Sequence, residues 1–116
     1  MARFLTKLNV EYIDDDKWRL ISPLLYESDI AGSVAVPSGF ETDFASVPRA
    51  PFVYLLFGDE AHKAATVHDY LYRSEKVSRK TADQVFLEAM KISGVWAWRR
   101  YPMFWAVRLF GGLCNA

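Results

Sequence analysis

The spacing of the apolar residues changes once along this chain of 116 residues, at Asp59. From there Ala61, Ala64, Ala65, His68, Leu71 and Tyr72 recur at three- and four-residue steps, which places them on one face of a helix. A second helix is expected after Ser78, a ready N-cap, carrying Ala82, Val85, Phe86, Ala89, Met90 and Ile92 and stopped by Gly94. A third should begin between Trp98 and Pro102, where a first turn tolerates proline, and run to Gly111-Gly112. Upstream of Asp59 the pattern is that of strands. Residues 4–13 alternate imperfectly through Leu5, Leu8, Val10 and Tyr12, and Asp14-Asp15-Asp16-Lys17 forms an acidic turn into residues 18–21, so a hairpin is expected. Residues 24–26 and 33–36 add short strands. The prediction is an α+β chain. Antiparallel β hairpins or a small sheet come first, and a three-helix half with an antiparallel helical hairpin follows.

One domain is expected over residues 1–116, with 1–58 mostly β and loop and 59–116 mostly α, because neither a repeat nor a polar linker divides the chain. A hydrophobic share of 52% with four tryptophans can fill a core without staples. The single cysteine, Cys114, excludes an intramolecular disulfide and reads as an inert thiol. The first residues lack the apolar run of a signal peptide, which points to a reducing cytoplasm. Residues 50–58 and 101–114 are the longest apolar runs, both shorter than the roughly 20 residues of a membrane span, so no transmembrane segment is expected.

Fourteen basic and fourteen acidic residues cancel, so nucleic-acid binding through phosphates is not signalled. The charge is nevertheless uneven. Residues 1–60 hold five basic and ten acidic side chains, net −5, and residues 61–116 hold nine and four, net +5. The two halves should attract one another.

Chemistry concentrates around His68. If the first two helices form a hairpin over the connector at residues 73–77, His68 lies five residues before Arg73 and Asp83 five after Ser78. At about 1.5 Å per residue, both sit about 7–8 Å from the turn and can touch. A carboxylate on one imidazole nitrogen fixes the tautomer and leaves the other nitrogen to take a proton from water. Tyr72, one turn after His68, can donate to the same carboxylate. Asp69 points about 100° away, where it can ligate a cation or pair with Arg73. Two readings stand side by side: a catalytic dyad of His68 and Asp83 with Tyr72, and a buried network that only orients helices. His62 reads as a surface residue at the helix start. Too few histidines are gathered for a metal phosphohydrolase. The loop at residues 39–52, with two prolines and one glycine, offers Asp43 as an oxygen ligand and Ser46 and Arg49 to an anionic substrate group. Equally, Asp43 and Ser46 can cap local turns. The late aromatics Trp96, Trp98, Tyr101, Phe104, Trp105 and Phe110 read first as the closing wall of the core and second as a surface docking on another protein.

The motifs Thr42-Asp43-Phe44-Ala45-Ser46-Val47-Pro48-Arg49, Val67-His68-Asp69-Tyr70-Leu71-Tyr72-Arg73, Ala82-Asp83-Gln84-Val85-Phe86 and Val107-Arg108-Leu109-Phe110-Gly111 resemble a family of phage and prophage proteins of the DUF1353 type. That resemblance implies viral origin, with other phage structural proteins as partners and a place in the host cytoplasm or the virion. A remoter likeness is to phospholipases A2, which pair a helical His-Asp-x-x-Tyr with an aspartate on the neighbouring helix, as do His68, Asp69, Tyr72 and Asp83 here. The likeness implies His68 as the base, Asp69 as a calcium ligand, and Tyr72 and Asp83 as the groups that hold His68. The disulfides and glycine-rich calcium loop of that family are missing. The activity expected is a hydrolase acting on an ester or amide of a lipid or cell-envelope polymer, assisted by a divalent cation, calcium or zinc. The alternative is a non-catalytic virion or assembly component.

Overall fold

The computed structural model describes residues 1–14, 17–42 and 59–114, and it is α+β. Six strands precede three helices: β1 (Arg3–Phe4), β2 (Val10–Tyr12), β3 (Trp18–Leu20), β4 (Leu24–Ser28), β5 (Gly32–Val36), β6 (Glu41–Thr42), α1 (Asp59–Ser74), α2 (Arg79–Ile92) and α3 (Ala97–Cys114). The run expected as one strand over residues 4–13 divides between two antiparallel sheets. β1 pairs with β4 in the order β1-β4-β5, and β2 pairs with β3 in the order β2-β3-β6. The expected hairpin is β2–β3, closed where Asp14 O accepts from Lys17 N. β6 falls where a loop was expected, since Thr42 pairs with Trp18 and Glu41 with Arg19.

The β4–β5 hairpin forms the floor beneath the helices. Leu24, Tyr26, Val34 and Val36 alternate inward and are buried, the two-residue period of a half-buried sheet. Ser28 Oγ accepts from Ile30 N and Ala31 N, and Gly32 takes φ +76° as the chain re-enters β5, a conformation glycine adopts without the Cβ clash. Glu88 of α2 docks on this hairpin. Its carboxylate accepts from Tyr26 Oη at 2.5 Å, Ser28 Oγ at 2.7 Å and Asp29 N at 3.1 Å.

α2 forms the centre of the helical half and packs on both α1 and α3. Ala82 and Ala89 of α2 and Ala64 and Ala65 of α1 are all buried in the core, and small side chains let two helices approach closely. Val85, Phe86 and Met90 fill the space beside them and are fully buried. Ser78 caps α2, accepting from Thr81 N at 3.1 Å, and Gly94 ends it at φ +87°. Both boundaries match the expectation. α3 differs at each end. Pro102 lies in its second turn rather than its first, and the helix continues through Gly111-Gly112, where a stop was expected. The proline costs one backbone bond, to the carbonyl of Trp98, which lies at an exposed residue where water can take its place.

Candidate functional site

The expected hairpin of α1 and α2 brings His68 and Asp83 level, and they are bonded: His68 Nε2 lies 2.7 Å from Asp83 Oδ1. Tyr72 Oη donates to the same oxygen at 2.9 Å. Arg108 of α3 donates through Nη1 to the other oxygen, Oδ2, at 2.9 Å. One carboxylate thus joins all three helices. Asp83 is wholly buried and His68 is 1% exposed. The imidazole is held between two rings, with its centroid 4.3 Å from that of Tyr72 and 4.8 Å from that of Phe86.

The electrostatics fix the protonation of this group. Burial alone would raise the Asp83 pKa, but hydrogen bonds from His68, Tyr72 and Arg108 outweigh it and hold the carboxyl below its ordinary value. An ionised carboxylate only accepts, so Nε2 of His68 carries a proton toward Asp83. In the neutral imidazole the lone pair then resides on Nδ1. That atom is buried and has no hydrogen-bond partner among the described residues. The Tyr72 phenol is pushed far above its ordinary value, first by burial and then by its bond to Asp83, and remains a donor.

Asp69 faces elsewhere, as its position one residue on requires. Its two oxygens accept from Arg73 Nε at 3.0 Å and Nη2 at 2.7 Å, the pairing open to it at the fourth residue on. Arg73 also donates to the Glu41 carbonyl and lies 4.7 Å over the Phe40 ring, so this pair fastens α1 to β6. Both Asp69 oxygens are engaged by the Arg73 guanidinium, and among the described residues no group of three histidine, cysteine, aspartate or glutamate side chains is placed for a metal. Asp43, Ser46 and Arg49 lie outside the described residues. His62, expected at the surface, is half-buried.

Arg108 is the member of the group that sequence reasoning missed. It was named only within the motif Val107-Arg108-Leu109-Phe110-Gly111, and its charge in an otherwise apolar helix is the available signal. A guanidinium among aromatics on a packed helix needs an acid, and Asp83 on the adjacent helix supplies it. The aromatic wall was also expected differently. Met103 and Val107 close the core from α3 with Phe104 packed half-buried against it, whereas Trp96, Trp98, Tyr101 and Trp105 face outward and the Phe110 side chain lies outside the described residues.

A family model described as a protein of unknown function, DUF1353, matches residues 18–107, a span that includes β3 through most of α3 and, of the Asp83 cluster, His68, Tyr72 and Asp83 but not Arg108. The uncharacterized protein y4jT of Sinorhizobium fredii (strain NBRC 101917 / NGR234) is 28% identical over 107 residues, covering 87% of this chain and 32% of that protein. The chain therefore spans about a third of that relative's length. No solved structure matches.

Proposed function

The chain belongs to the DUF1353 family, and from the cluster it carries we propose that it is a hydrolase in which His68, held by Asp83, takes the proton of the attacking water. One observation carries the reading: His68 Nδ1 is buried without a partner among the described residues while Nε2 is engaged by an ionised carboxylate. Leaving a buried polar atom unpaired costs about 1–3 kcal/mol, and a reacting group is one of the few reasons a fold bears that cost. In this scheme Asp83 sets the tautomer and stabilises the imidazolium as Nδ1 accepts the proton. Tyr72 and Arg108 keep Asp83 ionised and in place. The motif likeness to phospholipases A2 supports an ester or amide of a lipid or cell-envelope polymer as substrate. The likeness to phage and prophage proteins supports a viral origin, with action in the bacterial cytoplasm or from the virion. No step is routed through a cation.

A second reading, a virion or assembly component with a purely structural network, draws on the ion pair between Arg108 and the buried Asp83, which already gives that carboxylate a role in packing. The two separate on His68→Gln, whose amide can still donate to Asp83. Acyl esters of graded chain length, phosphatidylglycerol vesicles and purified cell-wall polymer would be assayed with the folded chain and the variant. A general base contributes about 10²–10⁴ in rate, so the variant should lose at least about a hundredfold while melting like the wild type. Hydrolysis absent from the whole panel, or undiminished in the variant, would remove the catalytic reading.

A further inference from the structure

α3 is apolar on both sides. Met103 and Val107 face the core, yet Trp98, Tyr101, Trp105 and Leu109 are exposed, Trp98 by 65%, Trp105 by 56% and Leu109 by 65%. At about 100° per residue these four, with Pro102, fall on one outward stripe of the helix. Trp96, 70% exposed, extends the aromatic surface at the helix start. A helix that is apolar all round is stable when both sides are covered, and here one side faces solvent.

Charge shows what kind of cover fits. Residues 76–114 hold seven basic side chains (Lys76, Arg79, Lys80, Lys91, Arg99, Arg100, Arg108) and two acidic ones, Asp83 and Glu88. Both acids are turned inward, Asp83 onto His68, Tyr72 and Arg108, and Glu88 onto Tyr26, Ser28 and Asp29. The charges that residues 76–114 show to solvent are therefore positive, and the exposed Glu75 lies just before them in the α1–α2 turn. Indole and phenol rings, with an apolar body and a polar edge, settle at the headgroup level of a bilayer, and arginine stems lie along apolar surface while the guanidinium reaches water. We propose that the outward stripe of α3 is an interfacial binding surface for anionic lipid, with Trp98, Tyr101, Trp105 and Leu109 entering the headgroup region and the arginines on or against α3, Arg99, Arg100 and Arg79, meeting its negative charge. The helix lies on the membrane and does not cross it. Among the described residues no helix is long and apolar enough to span a bilayer. A second copy is the poorer occupant, because a two-fold contact through this face would oppose like charges. The inference does not depend on catalysis by His68.

The test is co-sedimentation of the full chain with vesicles of phosphatidylglycerol and phosphatidylcholine, against vesicles of phosphatidylcholine alone. The chain should pellet with the anionic vesicles and shift its tryptophan emission to the blue. The pair Trp98→Ser with Trp105→Ser should lower partitioning about tenfold or more at an unchanged melting temperature, since both side chains point into water. Should that pair misfold, Tyr101→Ser with Leu109→Ser repeats the measurement on the same stripe. Four results would overturn the proposal: a wild type that stays in the supernatant at low salt; variants that bind as well as it does; a dimer that the substitutions disperse; and tighter binding to oligothymidylate than to vesicles.

Discussion

Replacing Asp83 by asparagine keeps the shape of the side chain and removes its charge. The asparagine carbonyl can still accept from His68 and Tyr72, but the amide nitrogen that replaces Oδ2 would then face Arg108 Nη1, now 2.9 Å away, donor against donor. Removing one member of a buried ion pair costs about 3–5 kcal/mol. The Arg108 side chain is 26% exposed and can recover some hydration, so the lower end, about 3 kcal/mol, is expected. Urea unfolding followed by circular dichroism measures it. With a slope of about 1–1.5 kcal/mol per molar for a small chain, the midpoint should fall by about 2–3 M at neutral pH. The pH dependence adds a signature. The Asp83 pKa is lower in the folded chain than in the unfolded one, so its contribution is fully present above the ordinary carboxylate value and is lost as the pH falls through the folded value. The gap between wild type and variant should therefore close in acid. A loss under about 1 kcal/mol at neutral pH, or a gap that does not change with pH, would refute the view of Asp83 as an ionised node holding three helices.

Two further measurements probe neighbouring parts of the fold. Of the six tyrosines, Tyr26 and Tyr72 have phenols pushed well above the ordinary value, each first by burial and then by a carboxylate partner. In a spectrophotometric titration both should resist ionisation beyond about pH 11, so that stability contributed below the ordinary tyrosine value is lost only as the folded pKa values are reached; normal ionisation of all six in the folded chain would contradict the buried placement. Glu75 follows α1 at φ +54°, a left-handed conformation that glycine adopts with less strain, so Glu75→Gly should raise stability by about 0.5 kcal/mol and the melting temperature by about 2–3 °C, and a lower melting temperature would count against that geometry.

The arrangement also ties the two proposals to one element. α3 sends Arg108 inward to Asp83 and Trp98, Tyr101 and Trp105 outward, so contact at its outer stripe acts on the helix that anchors the His68 partner. Vesicle binding and hydrolysis are still measured separately, and loss of one does not entail loss of the other.

The hydrophobic period by itself determined the order of strands and helices, and the connector length determined the height at which His68 and Asp83 meet, because both depend on local geometry repeated at a fixed rise per residue. Ser78 and Gly94 marked the ends of α2 for the same local reason, a cap and a left-handed residue. Only the tertiary structure decided that residues 4–13 serve two sheets, since strand partners lie far apart in sequence and short strands take whichever edge is offered. It likewise decided the fate of Asp69, for which a cation and Arg73 were equal candidates until β6 placed the Glu41 carbonyl beside the guanidinium. Most of all it decided which side of α3 faces inward. Both sides are apolar, so periodicity cannot choose between them, and the choice follows from the pairing of Arg108 with a buried acid one helix away.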